Sequence, residues 1–278
     1  MQMASKANHV LLTKENRKDF ESVFPAVFRE SDHRISIGAY REDGAVLGAI
    51  SFVLVDNQYD IDWLYVIPEV RRQGVATGLI KVFQDFIVKT LERYPVNVRF
   101  PVTQEDVSLH RFFLSLPGAD VTYSHERYFV SAEDIRKSAP IHNRSAEAVE
   151  VKTFFSTEED WQKRTLQTIR RTYGFAVSDE AAWKEDCVPD LCLYMSVKNN
   201  VLCGIFVQRA AEHMLELVWL YGKYPPGMFC LLQEAAGTAE RLYPEDSLTF
   251  EAINEKSEKL AQRLFPNARS VAIYEAGW

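Results

Sequence analysis

The sequence predicts an α/β (α+β) fold in two tandem copies, each a mixed, largely antiparallel sheet flanked by helices. Three observations point there. Strand-like and helix-like periodicities alternate along the chain. A long segment recurs at a spacing of about 150 residues, which is the size of a domain and not of a solenoid repeat. Between the copies lies a charged, small-residue, Pro-containing stretch, "SAEDIRKSAPIHNRSAEA" (131–148), with the character of a linker.

The recurrence extends over several elements. "VLGAISFVLVDNQYDIDWLYV" (46–66) resembles "VLCGIFVQRAAEHMLELVWLYG" (201–222), each closing on Trp-Leu-Tyr. "ERYP" (92–95) and "VNVRF" (96–100) are echoed by "ERLYP" (240–244) and "DSLTF" (246–250). "LHRFFLSLPGADVTYSHERYFV" (109–130) parallels "KLAQRLFPNARSVAIYEAGW" (259–278). The expected division is a first domain over 1–135, a linker over 136–146 and a second domain over 147–278.

Within the first copy, residues 9–13 read as a strand and 14–29 as a helix carrying Phe20, Val23, Phe24, Val27 and Phe28. Strands follow near 35–41 and 46–55, joined by the turn "EDGA", and another spans 59–66. The stretch 75–93 carries apolar residues at 75, 76, 79, 80, 83, 86, 87 and 91, a helical stripe. A strand at 96–102, a short helix at 105–116 and a hairpin at 120–130 complete the copy.

Composition narrows the function. A formal net charge of −7, with no basic stripe beyond Arg71-Arg72 and Arg170-Arg171, argues against nucleic-acid binding. No apolar run approaches the roughly 20 residues of a membrane helix, and "MQMASKANHVLL" has no signal-peptide core. The expectation is a cytoplasmic protein without membrane partners. Cys187, Cys192, Cys203 and Cys230 form no C-x-x-C pair and have only His213 among them, so they read as buried reduced thiols and no metal site is expected.

The informative stretch is "IPEVRRQGVATGLI" (67–80). Pro68 cannot extend a strand ladder, so the strand ends near Ile67. The chain then turns through Arg71, Arg72, Gln73 and Gly74 straight into the 75–93 helix. The first amides of that helix have no internal partner and carry the positive end of its dipole. Gly74 lets backbone approach a ligand without a Cβ in the way, and the two guanidinium groups add charge. A pyrophosphate suits such a place.

The surrounding text, "LYVIPEVRRQGVATGLIKVF", resembles the central motif of the GNAT superfamily of N-acetyltransferases, L-x-V-x-P-x-x-R-x-x-G-x-G/A, with Leu64, Val66, Pro68, Arg71, Gly74 and Ala76 in order. The resemblance implies two tandem acetyltransferase-type domains, the second degenerate. It further implies acetyl-CoA as cofactor, its pyrophosphate on Arg71, Arg72, Gln73, Gly74, Val75, Ala76 and Thr77, and its pantetheine arm on Leu64, Tyr65 and Val66. Asp106 stands where the family has an Asn near the cofactor.

Acetyl transfer to an amine needs a base and an oxyanion donor. The resemblance implies a base or water-positioning residue on the strand before the motif; period-two alternation places Asp60 and Asp62 on one face of that strand with Leu64 and Val66, and Asp62 is the candidate base. The resemblance gives the oxyanion to the Val66 amide. Phe113 occupies the family's general-acid Tyr position and has no proton to give. Either the thiolate leaves without assistance, another hydroxyl such as Tyr123 or Tyr65 substitutes, or the domain is not catalytic; His110 and His125 read as structural.

In the second copy the equivalent loop is "WLYGKYPPGMFCLLQ" (219–233), shorter, without arginine, and with two prolines that lack N–H groups. The fold is retained and the cofactor loop lost. Trp161, Tyr173, Phe175 and Trp183 read as core. The resulting expectation is an acetyl-CoA-dependent N-acetyltransferase acting on a primary amine of a small molecule or peptide by direct attack in a ternary complex. The alternative is a non-catalytic acyl-CoA-binding sensor or scaffold. Acceptor specificity is expected in loops near 25–35 and 103–125.

Overall fold

A computed structural model describes residues 7–24, 34–55, 57–90, 94–103, 106–142, 150–173, 180–197 and 200–278. The chain divides into two compact units: Met1–Ser124 with Ile273–Trp278, and His125–Ala272.

In order, the first strands are β1 (Asn8–Leu11), β2 (Arg34–Tyr40), β3 (Val46–Val55) and β4 (Gln58–Val66). Then come α1 (Val75–Thr90), β5 (Val96–Val102), α2 (Ser108–Leu114) and β6 (Asp120–Val130). The short helices α3 (Ala132–Lys137) and α4 (Ala139–His142) lead to β7 (Lys152–Thr153), α5 (Glu159–Tyr173), α6 (Glu180–Asp186) and β8 (Leu193–Val197). The chain closes with β9 (Asn200–Ala211), β10 (Met214–Gly222), α7 (Pro225–Leu242), β11 (Ser247–Ala252), α8 (Glu255–Leu264) and β12 (Arg269–Gly277).

In the first unit the strand order is β1-β2-β3-β4-β5-β12-β6, so the last strand of the chain stands beside β5. Val96 and Trp278 exchange both backbone hydrogen bonds, at 3.0 and 3.1 Å, which marks an antiparallel pair and brings Tyr274 opposite Phe100. In the second unit the order is β7-β8-β9-β10-β11-β6, and β6 stands beside β11 in antiparallel register from Leu248↔Val130 to Ala252↔Glu126. The hairpin expected at 120–130 is instead one continuous strand. Its hydrogen-bond partners come from far along the chain, which local alternation does not reveal.

Two further expectations change. Residues 17–23 form a 3-10 turn instead of the first turns of a long helix, and its Phe20 and Val23 bury against Ala49. Residues 25–33, including Val27 and Phe28, lie outside the described residues, as does Phe175. The start of the expected linker, 136–142, is helical and packed: Ile135 and Ile141 are buried with Leu264, and Ser138 Oγ donates to Leu264 O at 2.7 Å. A capping box closes the start of α3, with Ser131 and Asp134 bonding each other's amides.

The core of the first unit sits between the sheet and α1. Val75, Leu79, Ile80, Phe83 and Ile87 form the buried stripe of α1 and meet Phe52, Tyr59 and Ile61 from the strands. Ala276 of β12 is fully buried in the same cluster, with Tyr274 and Trp278 packed against it. In the second unit Trp161 and Trp183 pack around Phe154 and Phe206 in a separate aromatic cluster. The four cysteines are unpaired. The hydrogen bond with Cys192, and burial, raise the Cys187 thiol far above its ordinary pKa. Among the described residues, no helix is long and apolar enough to cross a membrane.

Because β12 completes the first core, Trp278→Ala should weaken it by about 2–4 kcal/mol, somewhat below the loss for a fully buried aromatic. The check is a fall in the urea midpoint of the first unit with its slope unchanged.

Candidate active site

The site begins where β4 leaves its parallel neighbour. The β4–β5 register holds for three pairs, Tyr59↔Val96, Asp60↔Asn97 and Ile61↔Val98, and stops. On its other edge β4 stays paired with β3 as far as Gly48↔Val66, but the register slips between Ser51↔Trp63 and Phe52↔Ile61. Asp62 is the extra residue, so β4 carries a β-bulge there.

The bulge corrects the expected face assignment. Before it, Tyr59 and Ile61 face the α1 core; after it, Leu64 and Val66 do. Asp60 and Asp62 therefore do not share a face with Leu64 and Val66. One inserted residue exchanges the two faces of a strand, and period-two counting across it fails.

The bulge also orients the backbone. Ile67 N–H donates to Leu47 O at 3.0 Å, so Tyr65, two residues earlier, bonds toward β3 as well. The N–H groups of Leu64 and Val66 consequently point away from β3, into the opening beside β5. The Val66 carbonyl accepts from Arg71 Nε at 3.0 Å. Of the three residues expected along a pantetheine arm, Leu64 and Val66 thus present backbone to the opening. Tyr65 contributes its ring, stacked on Trp63 at 6.1 Å and lying under the Arg71 guanidinium at 5.8 Å.

Beyond β4 the chain makes a single turn over Pro68–Val70, closed by Val70 N–H to Ile67 O and Arg71 N–H to Pro68 O. Arg72 and Gly74 then take left-handed φ values of 62° and 86°. A Cβ on Gly74 would meet nothing within 4 Å, so the space over this glycine is open. The first bond into α1 is Gly78 N–H to Gly74 O at 2.9 Å. Among the described residues, none accepts a hydrogen bond from the amides of Arg72, Gln73, Gly74, Val75, Ala76 or Thr77. Residues 71–74 are exposed, and Gln73 Nε2 reaches back to Glu69 O at 3.2 Å. A run of such amides, with Arg71 and Arg72 in the same turn, has the chemistry to hold an anion, as a cradle of N–H groups.

The remaining candidates are tied down. Asp62 accepts from Arg34 Nε of β2 at 2.9 Å, across the width of β3. Asp106 Oδ1 accepts from Ser108 N at 2.9 Å and caps the start of α2, while its own N–H donates to Thr103 Oγ1 at 2.9 Å. The Ser108 hydroxyl and amide hold the Asp106 carboxyl below the usual carboxylate range, with Arg71 adding to the effect. Phe113 is 1% exposed and stacks on Phe100 at 4.7 Å, so α2 offers no proton donor at that place. Tyr123 is 51% exposed and meets Tyr274 edge-on at 5.9 Å. His110 lies 4.8 Å from Tyr274.

Two contacts had no signal in the sequence. Arg34 reaches Asp62 across 28 residues of chain. His9 of β1 packs its ring on Gly78 of α1, where a Cβ would stand 3.0 Å from Nε2, and burial lowers its pKa.

The profile of the Acetyltransferase (GNAT) family matches residues 6–113, the segment that contains the cradle and the opened strand. Those residues form a GNAT-family domain. Across its length the chain has the fold of a tandem GNAT protein from the clavulanic acid biosynthesis pathway, with a TM-score of 0.68 at 12% identity over 98% of both chains. A GCN5-related N-acetyltransferase from Sphaerobacter thermophilus gives 0.57 at 13% identity, over 95% of this chain and 84% of that one. The sequence matches no curated protein.

The second GNAT-like unit repeats the strand and departs at the loop. The β10–β11 pairing ends at Leu217↔Phe250, and a register shift between Leu217 and Trp219 makes Val218 the bulged residue. Val218 therefore stands where the first unit has Asp62. α7 starts at Pro225, and a Cβ on its Gly227 would lie 2.9 Å from the Tyr224 ring, 3.1 Å from Met195 Sδ and 3.2 Å from Cys203 Sγ. Its N-terminus is filled by protein.

The cap on α2 gives a pH prediction. Asp106 should titrate below a free Asp by carboxyl-carbon NMR, and Ser108→Ala should move the transition upward. A depressed native pKa means that the cap's contribution holds above the unfolded-state pKa and is lost as pH falls through the folded one.

Proposed function

We propose that the chain is a cytoplasmic, acetyl-CoA-dependent N-acetyltransferase whose cofactor binds the first unit and whose acceptor is a primary amine on a small molecule or peptide. The observation that carries this reading is the run of amides from Arg72 to Thr77 that have no acceptor among the described residues, at the mouth of the β4–β5 opening.

Acetyl-CoA supplies the acetyl group as a thioester. Arg71, Arg72 and the cradle amides would hold the pyrophosphate, each charge-assisted bond contributing about 1.5–3 kcal/mol. The inward backbone of Leu64 and Val66 suits the pantetheine amides, and the Val66 N–H suits a developing oxyanion. Asp62, its direction fixed by Arg34, is the group proposed to draw in the amine and accept its proton as nitrogen attacks. The attack takes place directly between the two bound substrates. The alternative, a non-catalytic acyl-CoA-binding module, is favoured by Phe113, which leaves the thiolate without the family's tyrosine.

Calorimetry on the full chain tests the cradle. Gly74→Glu should weaken acetyl-CoA binding by about a hundredfold or more, as lost charge-assisted bonds require, while Pro226→Glu on the exposed start of α7 should leave it unchanged. Equal behaviour of the two variants would place the cofactor elsewhere. Mass spectrometry of an amine panel then separates enzyme from binder: acetylated product should form and be lost in Asp62→Asn, whereas cofactor binding without product supports the alternative.

A further inference from the structure

A cavity of about 780 Å³ lies wholly within the second unit, in the range of pockets that take small molecules. It fills the trough where β10 parts from β11, beneath α7 and α8, and Leu217, Leu220, Met228, Leu232, Phe250 and Leu260 contribute to its walls. The trough has lost both features that would suit it to a second acetyl-CoA. Pro225 and Pro226 have no N–H, and Gly227 is packed against Tyr224, Met195 and Cys203, so no amide cradle faces a pyrophosphate. Val218 replaces the carboxylate at the bulge.

The acidic groups that border the cavity are already engaged. Asp246 accepts from Arg209 at 2.6 Å and lies 3.4 Å from His213 Nδ1. Glu251 accepts from Arg127 at 2.5 Å and lies 3.2 Å from His125 Nε2. Asn254 Oδ1 caps α8, bonding the amides of Lys256 and Ser257 at 3.0 Å each. A polar ligand would lose its own hydration for few new hydrogen bonds, whereas an apolar one gains from every wall it covers. One charge on the lining differs. Among the described residues, no acceptor engages the Lys256 ammonium, which stands exposed on the first turn of α8.

We propose that this trough binds a free, unbranched fatty acid, with the hydrocarbon chain lying between β10 and β11 and the carboxylate meeting Lys256. The shape follows from the opening between two strands, which admits an extended chain more readily than a ring system. The second GNAT-like unit is then a ligand-binding module of changed specificity, and not only a structural remnant.

Calorimetry of the full chain with dodecanoate, kept below its micelle concentration, tests this. One molecule should bind per chain, and Ala235→Phe, which fills the trough from α7, should abolish it. Lys256→Glu, an exposed change that leaves the core intact, should weaken dodecanoate about three- to tenfold, the range of an exposed ion pair, and leave dodecan-1-ol unaffected. Gly74→Glu should not alter dodecanoate binding, so the outcome is independent of the acetyl-CoA reading. Absence of saturable binding, indifference to both trough variants, or displacement of dodecanoate by coenzyme A alone would overturn the proposal.

Discussion

The first unit depends on the bulge at Asp62. A regular strand carrying Tyr59 and Ile61 into the α1 core would turn Leu64 and Val66 to the opposite face. The extra residue returns them to the core, and its added twist parts β4 from β5 beyond Ile61↔Val98. The opened edge is thus a consequence of how the core is filled. Once β4 has parted from β5, the Leu64 and Val66 amides have no strand to bond, and Pro68 and the turn after it set the start of α1 at the same mouth. Strand backbone and helix-start amides then form one continuous polar surface at the edge of an apolar core.

The two units separate what is fixed by packing from what is free to vary. Both keep the bulge, at Asp62 and at Val218, and in both the pairing with the next strand ends at the residue before it. Gly74 and Gly227 both precede or open a helix, yet their surroundings are opposite. Gly74 has a left-handed backbone with open space over it. Gly227 is a close contact among a tyrosine ring and two sulfur atoms. In the first unit the space over the glycine is open; in the second, protein occupies the space beside it.

Much of this was legible in the sequence. The recurrence of Trp-Leu-Tyr foretold two copies of one fold. The stripe from Val75 to Ile87 foretold the helix, and the loop residues foretold exposed amides next to arginine. Features set by long-range pairing were not legible. A bulge has no local signature in "YDIDWLYV", because register is decided by β3, and so the alternation argument put Asp62 on the wrong face. The hairpin read at 120–130 failed for the same reason: the strand is real, but β12 beside β5 comes from the far end of the chain. Arg34 was invisible because nothing in its neighbourhood marks it as a partner of Asp62.

The loop is also the part of the fold that can be altered at least cost to stability. Residues 71–74 are exposed and add nothing to the core, and the left-handed Arg72 carries the strain of an unfavourable backbone, which Gly74 avoids by having no Cβ. Exchanging such a loop for a tighter, proline-bearing start to the helix removes the strained position at Arg72 and buries the glycine, as at Gly227. Closing the strand opening would be far harder, since the bulge that produces it also seats Leu217 and Leu220 in the second core. The second unit accordingly combines a strand opening and an apolar cavity with a start of α7 that is filled by protein.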